Sequence, residues 1–187
     1  YKTGEGEAAF YGPKLDFMAT DSIGREWQVA TIQLDFNQPQ RFDLSCTGED
    51  GQPERIFMVH AAIMGSIERF MNVFIEHTAG AFPTWVSPTQ VTILPISKKQ
   101  NKYAASVEKE LLALIPDLRI EIDNRDESVG KKIREASMQK SPYMLILGEK
   151  EMKAKKIAVR GRGEKDHGLM QVKKFAQMIG EEIEKRK

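Results

Sequence analysis

Two polar side chains stand at the ends of the apolar stretch HAAIMGSIERF, residues 60–70. His60 can hold a metal or move a proton, and a lone histidine is also commonly a satisfied core residue. Arg69, beside Glu68 near a helix start, offers a planar fork that suits a phosphate and equally forms a surface salt bridge. Upstream, WQVATIQLDF carries Gln28, Thr31, Gln33 and Asp35 among apolar neighbours. Polar groups on so apolar a strand either satisfy one another or line a ligand pocket. AFYGPK sets Tyr11 and Lys14 around a Gly12-Pro13 turn that would present both to one side. The remaining histidines, His77 along the next helix and His167 in a polar turn, supply no metal-ligand spacing.

The elements that must position these residues fall into two groups. In the first half, Lys14–Ala19 alternates with Leu15 and Phe17 on one face, and residues 21–25 form a turn. Trp27–Phe36 alternates again, with Trp27, Val29 and Thr31 on one side and Gln28, Ala30 and Ile32 on the other. The period shifts near Gln33–Leu34, where a bulge is expected. A second turn, Thr47–Pro53, precedes a short strand at Arg55–His60. From about Met64 the spacing of Ile63, Ile67, Phe70, Met71, Phe74 and Ile75 predicts a core helix stopped by Gly80. Ala81–Pro88, with two prolines, reads as a linker.

The second half alternates strand and helix, as in a small open α/β domain of about 100 residues. Strands are expected at Gln90–Ile96, Leu118–Ile122, Tyr143–Leu147 and Lys156–Val159, and helices at Lys99–Ile115, Glu127–Lys140 and Leu169–Lys187. The predicted fold class is therefore α/β (α+β): an antiparallel-sheet portion, then a mixed-sheet α/β domain.

Charge divides the chain in the same place. Residues 1–88 hold 6 Lys/Arg against 12 Asp/Glu, whereas residues 89–187 hold 22 against 15. The basic half suits a polyanion, nucleic acid being the commonest, or is a solvated lysine-rich surface. No apolar run approaches the roughly 18 residues of a membrane span. The single cysteine, Cys46, excludes an internal disulfide, fits a reducing cytoplasm and is expected to be a semi-buried filler. The start, YKTGEGEAAF, has neither initiator Met nor signal pattern and reads as the cut edge of a longer chain.

Taken in order, AFYGPKLDF, WQVATIQLDF, GEDGQPER, His60–Phe70, AFPTWVSPTQVTILPIS, GKKIREA, SPYMLILGEKE and KKIAVRGRG resemble the threonyl-tRNA synthetase family of class II aminoacyl-tRNA synthetases along nearly the whole chain. The resemblance implies residues 1–86 as the C-terminal part of a class II catalytic domain and residues 87–187 as an anticodon-binding domain. GSIERF looks like the family's motif 3, with Arg69 contacting ATP. His60 matches one of three protein ligands to a Zn²⁺ ion, the other two lying upstream of residue 1. Tyr11, Gln28, Thr31, Gln33 and Ser66 match positions around the threonine and adenylate pocket, and Lys14 one near ATP. Arg69, Gln28 and Lys14 would carry the catalysis. Asp126, Arg134, Glu151 and Arg160 match residues that read anticodon bases.

The implied function is an ATP- and Mg²⁺-dependent threonine–tRNA ligase, with L-threonine and tRNA(Thr) as substrates, acting as a cytoplasmic homodimer without membrane association. The isolated stretch, lacking motifs 1 and 2, is expected to be inactive. Two positions depart from the family pattern: Ala61, where Arg is usual after the zinc histidine, and Asp126, where Asn is frequent. A non-catalytic synthetase-like RNA-binding protein, or a prolyl- or histidyl-type synthetase, is the alternative.

Overall fold

Apolar–polar alternation and three-four spacing organise the first half into β1 (Lys14–Thr20), β2 (Glu26–Asp35), α1 (Asn37–Arg41), β3 (Ser45–Thr47), β4 (Pro53–Arg55), β5 (Met58–Ile63) and α2 (Ile67–Thr78). These belong to a computed structural model that describes residues 1–21 and 23–186 and divides into two units, Tyr1–His77 and Thr78–Lys187. Ser22, in the expected turn, and Lys187, at the end of the expected terminal helix, lie outside the described residues.

The first unit is an antiparallel sheet in the order β1-β2-β5, with a separate β3–β4 hairpin. The expected strand at Arg55–His60 is thus two strands, because β4 pairs with β3 while β5 pairs with β2. The bulge lies at Val29, not near Gln33–Leu34: Phe17 faces Ala30, Met18 faces Gln28, and pairing from Ala30 to Asp35 is unbroken. One extra residue reverses the parity of everything before it. Gln28 therefore shares a face with Thr31 and Gln33, contrary to simple alternation.

The helical stripe of α2 is only partly inward. Phe70 and Phe74 stack on each other at 5.4 Å, whereas Ile67, Met71 and Ile75 are exposed and Ile63 belongs to β5. Cys46 is likewise exposed, since nothing described packs over the β3–β4 ribbon. Apolar area thus remains open on this unit, and among its described residues the one buried outside α1 is polar, Asp35.

The second unit contains β6 (Val91–Pro95), α3 (Asn101–Leu114), β7 (Ile120–Ile122), α4 (Val129–Met138), β8 (Tyr143–Leu147), α5 (Glu149–Ala154), β9 (Ile157–Gly161), β10 (Asp166–Met170) and α6 (Val172–Glu184). Its sheet runs β10-β9-β8-β6-β7, with β6 parallel to β7 and β8, and β9 antiparallel to β8 and β10. Val91, Ile93, Leu145, Leu147, Ile157 and Val159 meet Leu111, Phe175 and Ile179 of α3 and α6 in the main core. On the opposite face Leu94 and Met144 pack beneath Ala136 of α4. Lys132 of α4 is buried and donates to the carbonyls of Pro95 (3.0 Å) and Asp123 (2.9 Å), pinning the helix across the strand ends. Leu169 and Met170, expected to open the last helix, form β10 instead; its polar start, Asp166-His167-Gly168, hid the strand.

The stretch expected to be a linker is bound into this second unit. Gln90 donates to the Thr84 carbonyl at 2.9 Å, and Arg119 donates to those of Trp85 and Ser87 at 2.8 Å each. Arg162 holds the Phe82 carbonyl, while Glu182 accepts from both Thr84 and Tyr143. Proline prevents helix here, so the exposed carbonyls are satisfied by side chains.

Phe175→Ala should lower the unfolding free energy by about 3–5 kcal/mol, because it opens a cavity in a closed core. Ile67→Ala should change it by no more than about 0.5 kcal/mol, the habit of exposed positions. Urea unfolding followed by circular dichroism checks both; equal losses would show that α2 is packed as its spacing implied.

Candidate functional site

Cross-strand neighbours share a face of an antiparallel sheet. Lys14 opposes Gln33, Asp16 opposes Thr31, Gln33 opposes His60, and the Val29 bulge adds Gln28 to the same side. That face is mostly polar, with Met18, Met58 and Ala62 among the polar side chains, while Leu15, Phe17, Ile32 and Val59 lie on the other. Five expected residues, Lys14, Gln28, Thr31, Gln33 and His60, are thereby gathered on one surface. Tyr11, held by the turn before β1, joins them by donating its hydroxyl to Gln33 Oε1 at 2.8 Å.

Two short networks organise the face. Asp16 accepts from Lys14 Nζ and from Gln28 Nε2, both at 2.8 Å. The hydrogen bond from Lys14 is the main reason the Asp16 carboxyl is held below the usual carboxylate range, and the same contact raises the lysine. Thr31, in register with Asp16, buries its hydroxyl without reaching hydrogen-bond geometry to any described residue. It nevertheless lies close enough to Asp16 to help hold that carboxyl below its ordinary range.

The second network centres on Asp35, only 2% exposed. Its Oδ1 accepts the backbone N–H groups of Asn37 (2.8 Å) and Gln38 (2.9 Å), and its Oδ2 lies 2.9 Å from His60 Nε2. The Gln38 N–H above all, then His60, keeps this carboxyl below its ordinary range despite burial. Tyr11, Gln33, Asp35, Arg41 and His60 line a cavity of about 410 Å³. The donor set suits one imidazole ligand with a carboxylate behind it. Among the described residues no group of three or more His, Cys, Asp and Glu could hold a metal ion.

Arg69 reaches the other end of β2. Met64 and Gly65 both adopt left-handed backbone (φ 67° and 64°), turning the chain from β5 into α2. Ser66 Oγ accepts the Arg69 N–H at 3.2 Å, capping the helix, and Arg69 Nη1 donates to the Gln28 carbonyl at 3.2 Å. The arginine is therefore braced on the sheet rather than paired with Glu68. Ala61 opposes Ile32 on the apolar face, away from His60. Sequence reasoning missed Asp16 and the role of Asp35. The period-2 spacing of Lys14 and Asp16 was the available signal for the first; the pairing with His60 is a long-range contact with no local mark.

The expected nucleic-acid residues lie in the second unit. Asp126 precedes α4 and is exposed, with Lys98 Nζ at 2.8 Å holding its carboxyl below the ordinary range. Arg134 is exposed on α4, one residue from the half-buried Ile133 that packs over Leu94 and Met144. Glu151 Oε2 accepts the Gly148 N–H at 2.9 Å and so caps α5. A Cβ at Gly148 would lie 2.7 Å from that oxygen and 2.8 Å from the Ile96 Cδ1, so a larger residue would push the capping carboxylate and the isoleucine tip aside. Arg160, in register with Met144 and Asp166, lines a cavity of about 400 Å³ with Ile146 and Ala158. Arg134 and Arg160 thus share the α4 side of the sheet, while Asp126 and Glu151 follow the carboxyl ends of the parallel strands β7 and β8. Open α/β sheets bind ligands at those ends. No helix among the described residues is long and apolar enough to cross a membrane.

Gly65→Ala should cost about 1–2 kcal/mol, since a Cβ at this left-handed position is strained and would sit 3.2 Å from the Gln28 carbonyl that Arg69 holds. Denaturant unfolding reads the loss; an unchanged midpoint would show that this turn is not fixed by its glycine.

Comparison with known proteins gives the same two-part division. The tRNA synthetase class II core domain (G, H, P, S and T) matches residues 2–78, and the anticodon binding domain matches residues 90–182. The chain is 54% identical over 181 residues to a threonine–tRNA ligase of Cytophaga hutchinsonii, covering 97% of this chain and 28% of that one. It is 52% identical over 179 residues to a threonine–tRNA ligase of Porphyromonas gingivalis, covering 96% and 27%. The crystal structure of the RNA binding domain of threonyl-tRNA synthetase from Cryptosporidium parvum Iowa II superposes with a TM-score of 0.86 at 38% identity, covering 94% of this chain and 44% of that chain. The chain thus spans little more than a quarter of the length of the ligases it matches. With both consecutive domain types present in order and threonine–tRNA ligases as its relatives, the chain belongs to the threonyl-tRNA synthetase family of class II aminoacyl-tRNA synthetases.

Proposed function

We propose that this chain supplies part of the active site and the anticodon-reading domain of a threonine–tRNA ligase. Residues 1–86 are assigned to the catalytic portion and residues 87–187 to the RNA-binding portion, with 78–86 the passage between them, held by side chains of the second unit. The observation that carries the reading is the single polar sheet face, on which Tyr11, Lys14, Gln28, Thr31, Gln33 and His60 converge, with Arg69 braced at its end. Gln28 and Gln33 are about 16 Å apart along β2 at roughly 3.3 Å per residue. A substrate laid along the strand meets an amino-acid end and a nucleotide end.

In the reaction the threonine carboxylate attacks the α-phosphate of ATP and releases pyrophosphate; the terminal ribose hydroxyl of tRNA(Thr) then attacks the acyl carbon and AMP leaves with the broken acyl–phosphate bond. Negative charge gathers on phosphate, so positioned cations do most of the work and no strong base is required. Arg69 serves as the phosphate clamp, and its bond to the Gln28 carbonyl sets its approach. Lys14, aligned by Asp16, adds a second cation near the nucleotide, which enters as its Mg²⁺ complex. Tyr11, Gln33 and Thr31 line the amino-acid end, and Ser66 fixes the start of the helix that carries Arg69.

His60 is one ligand to a Zn²⁺ ion whose other ligands come from elsewhere in the full-length protein. With the ion bound, the threonine hydroxyl gains a partner that valine lacks, a discrimination pocket size alone does not achieve. The open apolar side of the first unit is covered by further parts of the full-length homodimer, a cytoplasmic enzyme.

In the basic domain Arg134, Glu151, Arg160 and Asp126 read the anticodon. An ionised Asp126 only accepts hydrogen bonds, whereas the asparagine common in the family also donates. Asp126 therefore selects a base edge that donates.

In the full-length protein Arg69→Ala should lower threonine-dependent ATP–pyrophosphate exchange by about 10²–10³-fold. Exchange driven equally by valine, proline or histidine would overturn the substrate assignment, and threonine-dependent exchange by the isolated 187 residues would overturn the division of the site.

Arg160→Ala should weaken aminoacylation through tRNA by about 1–3 kcal/mol while leaving amino-acid activation intact. Steady-state KM for tRNA against exchange rate separates the two steps; a parallel fall in both would place Arg160 outside anticodon recognition.

A further inference from the structure

We infer that Asp35 is the positioning residue that selects the metal-binding nitrogen of His60; this rests on the proposal that His60 is a zinc ligand. The carboxylate is buried at the end of β2, and each of its oxygens is committed. Oδ1 takes the two backbone N–H groups of Asn37 and Gln38, and Oδ2 faces His60 Nε2 at 2.9 Å. Oδ1 is taken by two N–H donors and Oδ2 faces Nε2, so the carboxylate stands toward the ring as an acceptor. The proton of the neutral imidazole must therefore sit on Nε2. That leaves Nδ1 as the bare nitrogen, and it makes no hydrogen bond to any described residue.

The backbone makes this orientation hard to undo. His60 lies in the middle of β5, in register with Gln33, so its Cα is fixed by ladder hydrogen bonds two residues from Asp35 along the neighbouring strand. Asp35 in turn cannot rotate without leaving two N–H groups of α1 unsatisfied. The ring is thus aimed by a strand on one side and a helix start on the other. A neutral imidazole with its second nitrogen donating to a carboxylate is the arrangement that suits zinc, since it fixes the tautomer and raises the basicity of the ligating atom. Asp35 lines the same cavity as His60, but it is not a ligand here: its two oxygens are taken by Asn37, Gln38 and the imidazole.

The discriminating variant is Asp35→Asn. Its carbonyl can still cap α1, but its amide nitrogen would face Nε2 as a donor. Nε2 then becomes the acceptor, and the proton moves to Nδ1, the atom meant for the metal. In full-length protein, zinc affinity measured by chelator competition should fall about 10–100-fold in Asp35→Asn. Asp35→Glu, which keeps an acceptor-only group, should lie closer to wild type. The visible spectrum of the cobalt(II)-substituted protein should change in the asparagine variant and return in the glutamate one. Should Asp35→Asn fold poorly, the Asp35→Glu comparison and the cobalt spectrum still decide the matter. Zinc affinity in Asp35→Asn within about twofold of wild type overturns the inference. Stoichiometric zinc in His60→Ala would instead remove the ligand assignment beneath it, whereas loss of zinc in His60→Ala with retention in Asp35→Asn would sink the positioning role alone.

Discussion

The β-bulge at Val29 decides what the first unit can do. A regular strand through WQVATIQLDF would send Gln28 to the side opposite Thr31 and Gln33, into the apolar layer with Leu15 and Ile32. One unpaired residue shifts the parity, so Gln28 reaches Asp16 and the whole polar set of β1, β2 and β5 appears on one surface. The same shift brings the Gln28 carbonyl to the start of α2, where Arg69 grips it. The placement of Gln28 depends on that local irregularity, whereas Thr31, Gln33, Asp35 and His60 lie on the regular side of it.

Stability and chemistry are distributed unequally between the two units. The second has a closed core, with Phe175, Leu111 and Ile179 fully buried beneath a mixed sheet. Its buried polar groups are satisfied, as with Lys132 on two carbonyls and Thr92 on Ser141. The first unit spends its buried space on a carboxylate rather than a hydrophobe: Asp35 is 2% exposed while Ile67 and Val59 lie open. A buried charge of this kind is tolerable only when its oxygens are hydrogen-bonded, and the two N–H groups of α1 and the His60 ring supply a donor to each oxygen. Gln33 and Asp35 are hydrogen-bonded within the face and also line the cavity.

Much of the fold was legible. β1, β2, β8 and the helices α3, α4 and α6 follow their periodicities to within a few residues, since each buries one face against a layer. The failures share a cause. β10 was absorbed into the final helix because Leu169 and Met170 continue an apolar spacing whose pairing with Ala158 and Ile157 is not local. Ile67, Met71 and Ile75 were placed in a core by the same spacing, which reports amphipathicity but not what covers the face. The 81–88 stretch looked like a linker from its prolines, and Arg119, Arg162 and Glu182, distant in sequence, bind it into a domain.

For the candidate site the sequence determined the cast, and with the ordered segments from AFYGPK to KKIAVRGRG it determined the family. Residue type and order are chemical facts that survive without coordinates. Which atoms face one another was decided by the tertiary structure alone. His60 and Asp35 are 25 residues apart and meet because β2 and β5 are antiparallel neighbours in one particular register. A slip of one residue would send either side chain to the opposite face, and no local pattern encodes that register.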